Sequence, residues 1–152
     1  MKHILVTTDF SEASEAAFES AKEQLKMAGE EKNKITLLKV IDVVPPAGIK
    51  FEYGLAFADK KGMLEKVYKQ ASEKIREIAK KQFAGLPVET AVVKPKKAVY
   101  QEIIKFAKTN NASLIVMSTH GITGVKHFLL GSVAERVVRR SPCPVMIVPA
   151  KK

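Results

Sequence analysis

The sequence predicts an α/β protein: an open parallel five-stranded sheet with helices on both faces. Three observations carry that expectation. Five short runs rich in Ile and Val recur along the chain, each of a length that suits a strand buried on both faces. Segments with helical spacing of apolar residues separate them, and strict alternation of this kind favours parallel pairing through crossover connections. The chain has 152 residues, enough for one well-cored domain and too few for two, so 1–152 is expected to be a single domain.

The elements follow in order. His3–Thr7 is the first strand. From Ser11 to Ala28, Ala13, Ala17, Ala21 and Leu25 form one apolar stripe, and Gly29 stands where a helix stop is expected. Ile35–Val44 is the second strand. The stretch from about Asp59 to Phe83 aligns Met63, Val67, Ala71, Ile75 and Ile78 before Gly85. Val88–Val93 is the third strand. Lys97 to Lys108 turns Val99, Ile103, Ile104 and Ala107 inward, and Ser113–Ser118 is the fourth strand. Ser132 to Arg140 carries Val133, Val137 and Val138, and Ser141-Pro142 ends it. Pro144–Val148 closes the sheet. The long connection Val43–Ala58 suits either a lid over a ligand or a variable surface insertion.

Composition excludes several classes. Hydrophobic residues are 46% and charged residues 28% of the chain, which is ordinary for a folded soluble domain. The single cysteine, Cys143, rules out an intrachain disulfide and fits a reducing compartment. No apolar run approaches the roughly 20 residues that span a bilayer, and the amino terminus turns polar early, so a cytoplasmic location away from membranes is expected. The net charge of +10 is lopsided: residues 1–76 hold thirteen Lys/Arg against twelve Asp/Glu, whereas 77–152 hold thirteen against four. Such a field attracts anions, although a solvated lysine-rich surface has the same composition. With four arginines and no Trp, specific nucleic-acid binding is not expected.

In a parallel sheet, ligands bind beyond the carboxyl ends of strands. Thr7, Thr8 and Asp9 lie beyond the first strand, and Ser118-Thr119-His120-Gly121 beyond the fourth. Gly131-Ser132-Val133-Ala134-Glu135 opens the last helix, where unpaired N–H groups and the positive end of the helix dipole favour a phosphate. Ser132 with Glu135 three residues on fits a capping box equally well. Neither the G-x-G-x-x-G dinucleotide fingerprint nor the P-loop pattern occurs. His3 reads as structural, His127 as exposed, and the three separated histidines do not make a metal site. No paired carboxylates and no activated nucleophile are present, so no catalytic residue is assigned.

Two stretches carry a family resemblance. Ile4-Leu5-Val6-Thr7-Thr8-Asp9-Phe10-Ser11 is one; Leu114 through Gly121, with Gly131-Ser132-Val133-Ala134-Glu135-Arg136-Val137 and Pro142-Cys143-Pro144-Val145, is the other. On these the chain resembles the universal stress protein family along essentially its whole length. In the ATP-binding branch of that family a G-x2-G-x9-G-[ST] motif is found. Here its later positions fall on Gly121, Gly131 and Ser132, and Ser118 replaces the first glycine.

The resemblance implies a Rossmann-like fold of the adenine nucleotide alpha hydrolase type, with strand order 3-2-1-4-5. It implies ATP, or AMP or ADP, at the ends of strands one and four, with Mg2+ held through the phosphates. Asp9 would sit near the ribose, Val40 against the base, and the phosphates on the amides of Gly121, Gly131, Ser132 and Val133. Thr7, Thr8, Met117, Ser118, His120 and Ala134 complete the implied site. A homodimer through the Val145–Val148 edge strand, a role as a nucleotide-dependent switch in stress response, and at most slow ATP hydrolysis also follow. The alternative is a non-nucleotide dimeric interaction or scaffold protein of the same family.

Overall fold

The computed structural model describes residues 2–29, 31–42, 60–119 and 130–150. Five strands, β1 (His3–Thr7), β2 (Lys34–Val40), β3 (Val88–Val93), β4 (Leu114–Ser118) and β5 (Val145–Val148), form one parallel sheet in the order β3-β2-β1-β4-β5. Four α-helices connect them: α1 (Ala16–Ala28), α2 (Lys60–Gln82), α3 (Val99–Thr109) and α4 (Ser132–Arg140).

Strand alternation divides the core between the two faces of the sheet. Ile4, Val6, Ile35, Leu37 and Val116 meet Ala17, Phe18, Ala21 and Leu25 of α1 and Ile75 of α2. Leu5, Leu38, Val40, Ile115 and Met117 meet Ile103 and Ala107 of α3 and Ala134 and Val137 of α4. Each strand is thus apolar on both sides, as expected of a covered parallel sheet. Phe18 and Phe83 add a tilted ring contact at 5.2 Å that ties α1 to the end of α2.

His3 is structural, as the sequence suggests. It is buried, its Nδ1 lying 2.9 Å from the Asn110 carbonyl oxygen and its Nε2 2.7 Å from Thr36 Oγ1. Burial at this end of the sheet is tolerated because both ring nitrogens have partners.

Some boundaries and faces differ from expectation. The second strand ends at Val40, not Val44: the Ile41 N–H still donates to the Val93 carbonyl at 2.9 Å, but Asp42 turns out to solvent. Residues 43–59, which include the connection Val43–Ala58, lie outside the described residues, as do His120, Gly121 and His127. The first helix starts regular α geometry at Ala16 after a 3-10 turn over Ala13–Glu15, where the Ser11 hydroxyl accepts the Ser14 N–H and the Ser14 hydroxyl donates to the Ser11 carbonyl.

Met63 and Val67 of the α2 stripe are exposed. The cause is length: 23 helical residues extend about 35 Å, and a seven-residue strand only about 23 Å, so the first turns of α2 overrun the sheet. Val138 is also exposed, and Ala134 occupies the inward position next to Val137.

Candidate functional site

Strand order makes the site. β1 sends its chain to α1 on one face and pairs with both β2 and β4, so its carboxyl end is where connections diverge to opposite sides of the sheet. A cleft of about 260 Å3 opens there. It brings together Thr7, Thr8, Asp9, Val40, Met117, Ser118, Gly131, Ser132, Val133 and Ala134, all singled out from sequence. Of the implied set, His120 and Gly121 lie outside the described residues. The cleft is also walled by Leu38, Val99 and Ile103, which make one side apolar, and by Ser14, Lys39 and Asp42.

The β1–α1 turn is fixed by its own polar side chains. Thr8 Oγ1 lies 2.9 Å from Ser14 Oγ and accepts the Phe10 N–H at 3.0 Å, while the Thr8 N–H donates to the Leu38 carbonyl at 2.9 Å. Asp9 Oδ1 accepts both the Ser11 N–H, at 2.9 Å, and the Ser11 hydroxyl. Both bonds fall on one oxygen, so the turn itself orients the carboxylate of a residue that lines the cleft.

The opposite wall is the start of α4. Gly131 is its N-cap, with φ −55° and ψ 149°, and no side chain caps the helix. The capping box suggested by Ser132 and Glu135 therefore does not form. The helix begins at Ser132 itself, and Glu135 accepts from Arg139 one turn on, at 3.1 Å. First-turn amides of a helix have no intrahelical acceptor, so the N–H groups of Ser132 and Val133 form the positive end of a dipole facing the cleft.

Gly131 has a different task from the one its motif position implies. Its N–H donates to the Thr119 carbonyl at 2.8 Å, so this amide is engaged within the chain. A Cβ added to Gly131 would lie 2.9 Å from the same carbonyl oxygen. Close approach of two backbones, rather than an unusual φ, is what requires glycine here. Ser118, in place of the motif's first glycine, ends β4 in register with Val148 and has no positive φ, so the strand accepts its side chain.

Lys39 and Asp42 were not singled out from sequence. The signal was a cation inside the apolar Ile35–Val44 run, just before the end of a strand. Burial lowers the Lys39 pKa from its usual 10.5; Asp9 and Asp42 oppose that shift, and Lys74 adds to it. Among the described residues no three His, Cys, Asp or Glu side chains converge as metal ligands, and no helix is long and apolar enough to cross a membrane.

The sequence profile of the universal stress protein family matches residues 1–149. The chain belongs to the universal stress protein family. Over 151 residues it is 34% identical to Universal stress protein MJ0531 of Methanocaldococcus jannaschii, covering 99% of this chain and 84% of that protein. The solved structure of MJ0577 from the same organism superposes with a TM-score of 0.77 at 31% identity, covering 99% of this chain and 97% of that one. The universal stress protein of Archaeoglobus fulgidus in complex with dAMP shares the fold, with a TM-score of 0.58 at 21% identity over 97% of this chain and 98% of that one.

Proposed function

We propose that this universal stress protein binds an adenine nucleotide, ATP with Mg2+ held through its phosphates, in the cleft between the ends of β1 and β4. The observation that carries the reading is the convergence of three chemistries in that cleft. Val40, Leu38, Val99, Ile103 and Met117 offer an apolar wall for a base; Asp9 offers a carboxylate oriented by its own turn for ribose hydroxyls; the uncapped α4 start offers amides for phosphate. The shared fold with a protein solved in complex with dAMP supports the same assignment.

Phosphate recognition is reassigned within the site. With the Gly131 amide engaged, Ser132 and Val133 are the donors, and Gly131 sets their position. Thr7, Thr8, Met117, Ser118, Ala134, His120 and Gly121 remain in the proposed set. When bound, Mg2+ neutralises phosphate charge. The reading is a binding protein and stress-response switch in the cytoplasm; it assigns no catalytic base, and at most slow hydrolysis is expected. Calorimetric titration with ATP and Mg2+ tests it: saturable one-site binding is expected, and no heat at high micromolar protein contradicts it.

Assembly as a homodimer through β5 belongs to the same reading. The Pro144 carbonyl accepts from Ile115 of β4 and the Val148 carbonyl from Thr119 just beyond it, which leaves the backbone groups of Val145 and Ile147 pointing out along the sheet edge. Pairing with a second copy satisfies that edge in an isologous interface. Sedimentation should give a dimer, and Ile147→Pro, which deletes an outward N–H, should give a monomer.

The basic second half, with Ser118 in the motif, favours a second reading: a dimeric scaffold without nucleotide. Mass spectrometry of the purified protein separates the two, since co-purified ATP or AMP supports the first.

A further inference from the structure

A second cavity, of about 270 Å3, adjoins the first between the end of β2 and the first half of α2. Lys39 and Asp42 line both cavities; Phe10, Gln70 and Lys74 line only the second. The ammonium groups of Lys39 and Lys74 lie over the same ring, 5.2 and 4.9 Å from the centre of Phe10. An aromatic ring attracts a cation, and two ammonium groups within 5.2 Å of one ring centre bring like charges near each other. Neither ammonium is in an ion pair among the described residues, where the paired cations are Lys22, Lys34, Lys94 and Arg139. Asp42 is the carboxylate among the lining residues, so the lining carries a net positive charge. Phe10 presents its ring from a left-handed backbone, φ 69°, a conformation uncommon for a bulky residue and more frequent where function imposes it.

We propose that this cavity binds a phosphate-type oxyanion between Lys39 and Lys74, with the Gln70 amide as a further donor. An anion seated there meets two ammonium donors that belong to no ion pair among the described residues, and it offsets the repulsion that Lys74 exerts on Lys39. Lysine suits this role as a point charge able to serve an oxyanion from several directions. The site is separate from the α4 amides and does not require a nucleotide in the first cleft.

The test is an amide-resolved NMR titration of the whole protein with inorganic phosphate. Saturating shifts are expected at Phe10, Gln70, Ala71 and Lys74. Lys74→Gln, an exposed helix substitution outside the first cleft, should weaken that response by at least about tenfold, as loss of a charged donor does, and Lys74→Arg should restore it. Adenosine, which carries no phosphate, should leave Gln70 and Lys74 unshifted. The proposal is overturned if phosphate shifts only Ser132–Ala134 or nothing, if Lys74→Gln titrates like the parent, or if adenosine moves the same α2 amides. A nucleotide that failed to bind the first cleft would leave these results unchanged.

Discussion

Gly131→Ala isolates the contact on which the phosphate wall depends. The native φ of −55° is open to alanine, so no backbone strain enters and the whole effect comes from one approach: a methyl carbon 2.9 Å from the Thr119 carbonyl oxygen. That obstacle is main chain, held in place by the Thr119 N–H bonded to the Val148 carbonyl at 3.0 Å, and it does not rotate away as a side chain would. Relief moves the first turn of α4 outward and stretches the 2.8 Å bond from the Gly131 N–H to Thr119. Overpacking of this kind costs about 1–3 kcal/mol. At roughly 2–4 °C per kcal/mol for a chain of this size, Tm falls by about 2–12 °C. Because the Ser132 and Val133 amides move with the turn, ATP affinity should fall by about tenfold, the loss of one good charged hydrogen bond. Thermal melts and calorimetry on the same variant read both quantities. An unchanged Tm with unchanged affinity would refute the close approach and with it the reassigned role of Gly131.

Three further outcomes follow from particular contacts. Ser118→Gly should lower stability by about 0.5–1 kcal/mol, the cost of glycine in a strand, and leave nucleotide affinity within a few-fold; a large gain in affinity would mean that the serine obstructs the site. His3→Leu strands the buried Thr36 hydroxyl and the Asn110 carbonyl and should cost about 1–3 kcal/mol in urea unfolding; a neutral result would contradict the paired-imidazole account. For Lys39 the sign follows from its lowered pKa: between that value and 10.5 the unfolded chain binds more protons, so stability from this group rises with pH across that window. Lys39→Met should therefore be more stable than the parent at neutral pH, with the difference closing as pH approaches 10.5; a difference that widens with pH would contradict burial as the dominant cause.

Strands and their flanking turns were legible because burial on both faces writes a continuous apolar run. Val88–Val93 and Ser132–Arg140 were placed at the residues the structure gives. The cleft was legible for a related reason: parallel pairing puts every strand's carboxyl end on one side, so Thr7–Asp9 and Gly131–Ala134 had to converge once β1 and β4 were neighbours. Helical faces were less so. Periodicity marks which residues align but not how far the sheet beneath them extends, so Met63 and Val67 pass beyond that support, and on α4 Ala134 rather than Val138 takes the inward position.

Three site features depend on tertiary placement that the local sequence does not report. Lys39 reads in sequence as an interruption of a strand, and only the packing of α2 and the turn at Phe10 against it give its ammonium a setting. The Gly131 amide is engaged by a carbonyl twelve residues earlier, just past the end of β4, which motif spacing does not report. Ser132 and Glu135 have capping-box spacing, yet the helix begins one residue early and gives Glu135 to Arg139.

The most direct test of the nucleotide assignment is an amide-resolved titration with ATP and Mg2+. The account predicts saturating shifts that cluster at Thr8, Asp9, Val40, Ser132 and Val133, the two rims of one cleft. Shifts that leave these cleft amides unmoved, or that grow without saturation, would show that the cleft holds no nucleotide.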